Sequence, residues 1–417
     1  MCWWERTPRL VIVDSELIRL ILADKNGEFV KPPQNPLVNI LQLGLPTLVG
    51  EQWSKRRRIL APAFHLEKLK RMLPAFSTSC CSLIERWKKL TNFRELTEVD
   101  VMQEFHILTV DVISRTAFGS CYEEGKKIFE LQKQHFPLLF EAYYNTYIPG
   151  FRFVPTKKNR KRYELDNKIK AILHDLIRDR TQAKQTEEMN LLDLLLQNTK
   201  LGNDNIDENN CLSINDVIEE CKLFYIAGQD TSASLLTWTM VSLSMHPNWQ
   251  EKAREEVLQL CGMKTPTFEA INHLKIVSMI LNEVLRLYPP ASIQSRYTKQ
   301  ETRIGGMKIP AGVELTLLIV SLHHDPEHWG NDAEEFNPER FSEGVGKSSK
   351  AFYPFGWGPR ICLGQNFAMI EAKMGLAMIL QNFSFHLSPS YIHSPRNGVT
   401  LQPQHGVPII LHPLNNY

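Results

Sequence analysis

One cysteine lies in a segment whose residue types could give its sulfur a chemical role. Residues 355–364 read FGWGPRICLG, and an apolar helix is predicted to begin at Gly364. Glycines let backbone N–H groups approach the sulfur of Cys362 closely, and a helix N-terminus adds positive potential. Both effects stabilise a thiolate, which in this setting is suited to be the axial ligand of haem iron and to favour O–O cleavage. A buried structural cysteine in a glycine-rich turn is the alternative.

A second group lies mid-way along a long predicted helix. The helical pattern begins at Ser213, which has capping-box spacing with Asp216, and its middle reads AGQDT from Ala227 to Thr231. A mid-helix Gly228 followed by a threonine that bonds backward loosens the hydrogen-bond ladder. That leaves room for dioxygen and ordered water. On pattern alone, a glycine that merely permits close helix packing is an equally good interpretation.

The loop and the helix segment, in this order, resemble two motifs of the cytochrome P-450 haem-thiolate monooxygenases. The resemblance implies that haem b is the cofactor and that Cys362 is the metal ligand. It also implies that Asp230 and Thr231 deliver protons as an acid–alcohol pair. The residues implied to contact the cofactor or to shape the oxygen pocket are Ala227, Gly228, Phe355 and Gly364.

Glu283 and Arg286 form a Glu-x-x-Arg motif within a helical pattern. A spacing of three places both on one face. Apolar flanks predict that this face is buried, where an ion pair is costly unless further partners complete it. Arg340, in the segment FNPERF, resembles the arginine that completes a structural triad in the family. We expect the triad to fix the segment that leads to Cys362 rather than to take part in catalysis.

Haem carries two propionates, and the bidentate fork of arginine suits carboxylates. Trp53 and Arg57 lie on one helix face and resemble the family's Trp-x-x-x-Arg contact. Arg360 in the cysteine loop and Arg296 after the Glu-x-x-Arg motif are the other candidates. The alternative for Arg57 is a solvated charge within a basic run. The other cations of that run are predicted to face an acidic redox partner: Lys55, Arg56 and Arg58.

Composition excludes several classes of protein. The chain has 417 residues, of which 43% are hydrophobic and 23% charged, and this excludes a disordered chain. Lys plus Arg is 48 and Asp plus Glu is 46, so the net charge of +2 gives no case for nucleic acid as a partner. Most of the sequence has helical spacing, and strand-like runs are few, such as residues 303–309 and 313–321. We expect a mainly α protein with small β-sheets, and the resemblance implies the cytochrome P-450 fold as a single domain over residues 1–417.

Segments outside the shared motifs resemble a plant subfamily that includes secologanin synthase and triterpenoid and gibberellin oxidases. They are residues 61–65, 111–119 and 147–155. The resemblance implies a monooxygenase that inserts one oxygen atom from O2 into an apolar small molecule, terpenoid or gibberellin-like. Electrons are expected from NADPH through NADPH–cytochrome P-450 reductase, because the chain has no GxGxxG dinucleotide site. Two alternatives are an isomerase or dehydratase of the same fold, and a truncated, non-catalytic protein that binds haem or hydrophobic ligands.

The sequence also predicts a relation to membranes. No run approaches the roughly 18 apolar residues that a spanning helix needs, so we expect the chain to lack the N-terminal anchor of its relatives. We expect peripheral association with the cytosolic face of the endoplasmic reticulum through the uncharged residues 37–48. A basic cluster is expected to attract anionic lipid there: Lys157, Lys158, Arg160, Lys161 and Arg162. The alternative is that both segments are ordinary surface of a soluble protein.

Overall fold

Helices make up most of the structure, a computed structural model that describes residues 2–4, 7–41, 43–91, 97–119, 122–145, 147–182, 190–199, 211–348 and 350–414. The helices are Ser15–Ala23 (α1), Pro36–Leu41 (α2), Gly50–Leu60 (α3), Leu66–Thr91 (α4), Val101–Ile113 (α5), Tyr122–Tyr144 (α6), Lys157–Gln182 (α7), Leu191–Gln197 (α8), Ile214–Met245 (α9), Pro247–Cys261 (α10), Phe268–His273 (α11), Lys275–Leu287 (α12), Ile319–His323 (α13), Pro326–Trp329 (α14), Val345–Ser348 (α15) and Gln365–Asn382 (α16). None of them, within the described residues, is both long and apolar enough to cross a bilayer.

The strands are short and lie in small sheets. They are Cys2–Trp4 (β1), Thr7–Ile12 (β2), Phe29–Val30 (β3), Thr97–Asp100 (β4), Ile293–Thr298 (β5), Thr302–Ile304 (β6), Met307–Ile309 (β7), Glu314–Leu318 (β8), Phe383–Leu387 (β9), Pro395–Asn397 (β10), Leu401–Pro403 (β11) and Pro408–Pro413 (β12). The largest sheet has the order β1-β2-β8-β5-β3, with β2 parallel to β8, and a second has the order β4-β12-β9. The prediction of a mainly α protein with small β-sheets is confirmed.

Two predicted strands have different bounds in the structure. Residues 303–309 are a hairpin, β6–β7, because Gly305 and Gly306 have φ of 54° and 79° and reverse the chain. Residues 313–321 form a strand only to Leu318, after which α13 begins. Both differences arise where a short apolar run contains a change of direction that alternation of side chains does not reveal.

Helix α9 runs through the centre of the core. It begins as predicted with a capping box, in which the Asp216 N–H donates to Ser213 Oγ at 3.1 Å and the Ser213 N–H donates to the Asp216 carboxylate at 3.0 Å. From residue 217 to residue 244 every side chain is buried except three, Ala227, Gly228 and Thr231. A helix buried on all sides belongs to the interior of a large fold, so these three residues mark its one accessible stretch.

The main apolar core gathers around α9. Helices α4, α5, α12 and α16 pack against it or against one another, and Trp87 and Trp238 are fully buried among them. A smaller cluster lies beneath the five-stranded sheet and includes Ile18 of α1 and Leu315 of β8. The Cys362 loop joins the two regions, since it packs against α1 and leads into α16.

Candidate functional site

The shape of the Cys362 loop follows from its turns and from its contact with α1. Gly356 and Gly358 have φ of 74° and 71°, which favours glycine. A Cβ at Gly358 would also collide with the backbone of Leu22 in α1. The Cys362 N–H donates to the carbonyl of Phe355 at 2.9 Å. These constraints hold the cysteine at the N-terminus of α16.

The sulfur of Cys362 lies deep in the protein but on an accessible internal wall. Among the free cysteines of the described residues, Cys362 alone is exposed. Burial among protein atoms raises the pKa of its thiol, although the Gly364 N–H and the charge of Arg57 both lower it. The predicted effect of the loop and of the helix terminus on the sulfur is therefore present and opposes the effect of burial. A bound metal supplies a further positive charge that favours a deprotonated sulfur.

The accessible stretch of α9 is connected to this loop through an aromatic bridge. A Cβ at Gly364 would lie 4.0 Å from Cε1 of Phe64, and the Phe64 ring stacks on Phe224 with centroids 5.6 Å apart. Phe224 lies one turn before Ala227, which is exposed. The cysteine loop and the middle of α9 therefore flank one region of the interior.

Asp230 and Thr231 are neighbours in the sequence but have different partners. Thr231 Oγ1 donates to the Ala227 carbonyl at 2.7 Å, which is the predicted backward bond. The Asp230 carboxylate is buried and accepts from Thr400 Oγ1 at 2.7 Å and from Gln402 Nε2 at 2.8 Å, both from the region of β11. The two side chains are not hydrogen-bonded to each other in these described segments. The hydroxyl of Thr231, rather than the carboxylate, is therefore on the accessible side of α9.

Gly228 has a packing role as well. A Cβ at this position would lie 2.7 Å from Cδ1 of Ile113 at the end of α5, and α5 packs along α9. The interpretation of Gly228 as a residue that permits close helix packing therefore has direct support. Its predicted contribution to an oxygen pocket stays a prediction.

Trp53 lies between two of the predicted cations. The guanidinium of Arg360 is 4.4 Å from the centroid of the Trp53 ring, and that of Arg57 is 5.8 Å away. Arg57 also donates to the Ile361 carbonyl at 2.8 Å, next to Cys362. The structure thus brings α3 and the cysteine loop together, with both guanidinium groups beside one indole.

Arg296 and Lys31 extend this group of positive charges. Burial and the charge of Arg360 lower the pKa of Arg296 to about 10. Burial and the charge of Arg57 lower the pKa of Arg360 to about 10. Burial, followed by the charges of Arg296 and Arg360, lowers the pKa of Lys31 to about 7. None of the four cations forms an ion pair with a carboxylate of the described residues, so the cluster is short of negative charge.

Glu283, Arg286 and Arg340, the residues of the predicted structural triad, lie together in the structure. Glu283 and Arg286 are fully buried and joined at 2.7 Å, and Arg340 Nε approaches the Glu283 carboxylate at 3.5 Å. Arg286 also donates to the carbonyls of Ala333 at 2.6 Å and Glu335 at 3.0 Å. The group therefore attaches α12 to the chain that leads towards the cysteine loop, a connection that fits a structural role.

The chemistry of these side chains fits an iron porphyrin with two carboxylates. An accessible cysteine sulfur supplies an iron ligand, and cations that lack carboxylate partners among the described residues suit the propionates. The sequence model of the family described as Cytochrome P450 matches residues 1–408. The chain belongs to the cytochrome P450 family. Its cofactor is therefore haem, whose iron is ligated by a cysteine thiolate in this family, and it is an oxidoreductase that incorporates molecular oxygen.

Relatives of this cytochrome P450 are plant enzymes. It is 53% identical over 420 residues to cytochrome P450 CYP72A616 of Paris polyphylla. The matched region covers 99% of this chain and 81% of that enzyme. It is 50% identical over 422 residues to the 11-oxo-beta-amyrin 30-oxidase of Glycyrrhiza uralensis, and the match covers 99% of this chain and 80% of that enzyme. It is 47% identical over 421 residues to secologanin synthase 1 of Catharanthus roseus, and the match covers 98% of this chain and 80% of that enzyme. The predicted resemblance to the subfamily that includes secologanin synthase is confirmed.

Sequence reasoning was wrong about Arg56 and missed two residues. Arg56 is buried and pairs with Asp216 and Glu220 at 2.7 Å each, so it does not face a redox partner. Lys31 matches no motif. Glu371 in α16 has both carboxylate oxygens buried without a hydrogen-bond partner of ordinary geometry among the described residues. The sequence could have indicated this residue, because a charged side chain within an apolar helical pattern is unusual.

Proposed function

We propose that this cytochrome P450 inserts one oxygen atom from O2 into an apolar terpenoid, as a single unit that spans residues 1–417. The proposal depends on the accessible Cys362 sulfur beside a cluster of cations that lack carboxylate partners among the described residues. The substrate class is supported by relatives whose names are 11-oxo-beta-amyrin 30-oxidase and secologanin synthase. A terpenoid substrate is more specific than membership of the family, so the substrate class is tested separately.

The residues of the loop and of α3 are proposed to hold the cofactor. When bound, haem supplies the iron centre at which O2 is activated. Cys362 Sγ is the proposed ligand, held in position by the carbonyl of Phe355 and by the start of α16 after Gly364. Cations around Trp53 would bind the propionates, because guanidinium and ammonium groups pair with carboxylates. The proposed propionate-binding cations are Lys31, Arg57, Arg296 and Arg360.

Thr231 and Asp230 are proposed to manage protons. The Thr231 hydroxyl is on the accessible side of α9, where it can pass a proton while its backward bond to Ala227 holds it in place. Asp230 is fixed behind it by two donors and acts as the acid that resupplies that position. Ala227 and Gly228 leave room beside the hydroxyl, since neither side chain is larger than a methyl group.

Electrons are proposed to arrive from NADPH through NADPH–cytochrome P-450 reductase. The chain has no glycine-rich dinucleotide motif of its own. With Arg56 buried, the exposed Arg58 is the proposed contact to an acidic partner, together with Lys55 from the same basic run. Arg58 is exposed and Lys55 half-buried at the surface of α3.

A peripheral membrane contact is proposed at a different place from the one the sequence indicated. Within residues 37–48, Leu37, Val38 and Leu45 are buried and therefore cannot contact a membrane. Arg162 is buried as well and is not part of an exposed basic cluster. An exposed apolar group lies instead between α6 and α7, and we propose that it rests on the cytosolic face of the endoplasmic reticulum. Its members are Ile148, Phe151, Phe153 and Val154.

Reconstitution tests the function. Haem-loaded protein is combined with reductase, NADPH, isotopically labelled O2 and a panel of terpenoids. The expected product carries one labelled oxygen atom and forms only with every component present. A product that forms without O2 would indicate an isomerase or dehydratase. Haem binding with no NADPH consumption and no product would indicate the non-catalytic alternative.

A further inference from the structure

A cleft of about 400 Å³ lies between α2, α6 and α7, apart from the haem-binding residues. Its wall includes neither a residue of α9 nor one of the cysteine loop. Polar and cationic side chains dominate it: Asn35, Glu141, Tyr147, Lys157, Lys158 and Arg162. Nothing in the proposed monooxygenase reaction uses this cleft.

The cleft has an excess of positive charge. Three cations line it against one carboxylate, Glu141, which pairs with Lys158 at 2.7 Å and with Arg162 at 3.3 Å. Lys157 has no ion pair with a carboxylate in the described part of the chain. The surplus of two positive charges makes the cleft suited to an anion.

Arg162 gives the cleft a built, rather than superficial, cationic wall. The residue is 2% exposed. Its guanidinium is held by Asn159 Oδ1 at 2.9 Å and by the Leu138 carbonyl at 3.2 Å. Its Nε has no hydrogen-bond partner among the residues that the structure describes. A buried guanidinium with one donor unsatisfied is costly, and an anion in the cleft would offset part of that cost through its charge.

Exposed apolar side chains lie on the connection between α6 and α7, part of which lines the same cleft. Phe151 lines it and is itself exposed, while Phe153 is 72% exposed and lies under the guanidinium of Arg152 at 4.6 Å. Ile148 is 65% exposed on the same connection between α6 and α7. Apolar side chains beside cations are the combination that an anionic lipid surface binds, with acyl chains below and phosphates at the level of the charges.

We propose that the cleft binds the phosphate headgroup of an anionic phospholipid while the neighbouring apolar residues contact the bilayer. The headgroup site rests on the proposed peripheral membrane contact, and it names anionic phospholipid as the lipid class that strengthens this contact. A lipid phosphate, rather than free phosphate, is the proposed ligand because the exposed Phe151 lines the cleft and further exposed apolar residues lie on the same connection between α6 and α7. The consequence is that membrane affinity depends on the anionic lipid content.

Vesicle binding by the full chain tests the proposal, with one matched pair of variants. Lys157 and Arg160 are both exposed in the first turns of α7 and lack carboxylate partners among the described residues, but only Lys157 lines the cleft. Lys157→Gln should lower the affinity for vesicles of phosphatidylcholine with phosphatidic acid about fivefold. Arg160→Gln should lower it less than twofold. Neither variant should change binding to pure phosphatidylcholine vesicles.

The outcomes separate the headgroup site from the membrane contact on which it rests. Equal losses in the two variants would show general charge attraction and overturn the headgroup site, and no loss in Lys157→Gln would overturn it too. Phe153→Ser should weaken binding to both kinds of vesicle. If Phe153→Ser weakens binding to neither kind of vesicle, the proposed apolar contact is wrong. The comparison of Lys157→Gln with Arg160→Gln still tests the anion site in that case. Displacement from phosphatidic-acid vesicles by inorganic phosphate at matching phosphate concentration would assign the cleft to free phosphate and overturn the lipid assignment.

Discussion

Glu371 should make the stability of the folded chain fall as the pH rises. The residue is 1% exposed in α16, and within the described part of the chain neither of its carboxylate oxygens has a hydrogen-bond partner of ordinary geometry. Burial raises the pKa of Glu371 from 4.5 to about 8, and the nearby Ser232 hydroxyl opposes this shift only in part. The side chain is therefore a neutral acid in the folded protein at neutral pH.

The sign and size of the effect follow from this raised pKa. Between pH 4.5 and about 8 the unfolded chain has released the proton while the folded chain retains it. The folded state therefore loses stability as the pH rises through this window. At about 1.4 kcal/mol per unit, the shift gives a total loss on the order of 5 kcal/mol. Glu371→Gln removes the titrating group and with it this part of the pH dependence.

Urea unfolding of haem-loaded protein, followed by tryptophan fluorescence, provides the measurement. The quantity of interest is the difference in unfolding free energy between wild type and Glu371→Gln at about pH 5 and about pH 8. We expect that difference to shift in favour of the variant at the higher pH, by several kcal/mol. Glu255→Gln, at an exposed glutamate of α10, should leave the profile unchanged. A Glu371→Gln profile parallel to that of wild type would refute the reasoning.

Three further predictions concern the site. Lys31→Met should speed the transfer of haem to apomyoglobin because a propionate loses a cation, whereas Lys25→Met, at an exposed lysine, should not; equal transfer rates would contradict a role for Lys31. Thr231→Ala should bind haem and consume NADPH but form less product and more peroxide per NADPH, and an unchanged ratio would mean that the hydroxyl does not manage protons. Glu283→Gln should lower the unfolding free energy by about 3–5 kcal/mol, because it leaves the charge of Arg286 buried without its partner; an unfolding curve like that of wild type would contradict the structural role.

Features that depend on local spacing could be predicted from the sequence. Ser213 and Asp216 identify the start of α9 because a capping box involves four consecutive residues. The closeness of Trp53 and Arg57 follows in the same way from one helical turn. The partnership of Arg340 with Glu283, 57 positions apart in the sequence, could be predicted only through resemblance to a family.

Features that depend on packing between distant segments could not be predicted. Lys31 meets Arg296 because Val30 of β3 pairs with Tyr297 of β5, and no local pattern encodes that register. Arg56 and Arg57 have the same residue type in one basic run, yet the turn of α3 directs one to Glu220 and the other to the cysteine loop. The apolar residues 37–48 read as surface in isolation, whereas α6 and α9 cover part of them.

The spectrum of the reduced carbon monoxide complex shows whether Cys362 ligates the haem iron. The wild-type protein should show the long-wavelength Soret band of a thiolate-ligated haem. Cys362→Ala should lose that band even where haem remains bound, whereas Cys261→Ala, at a half-buried cysteine of α10, should retain it. A thiolate band that persists in Cys362→Ala would contradict the account.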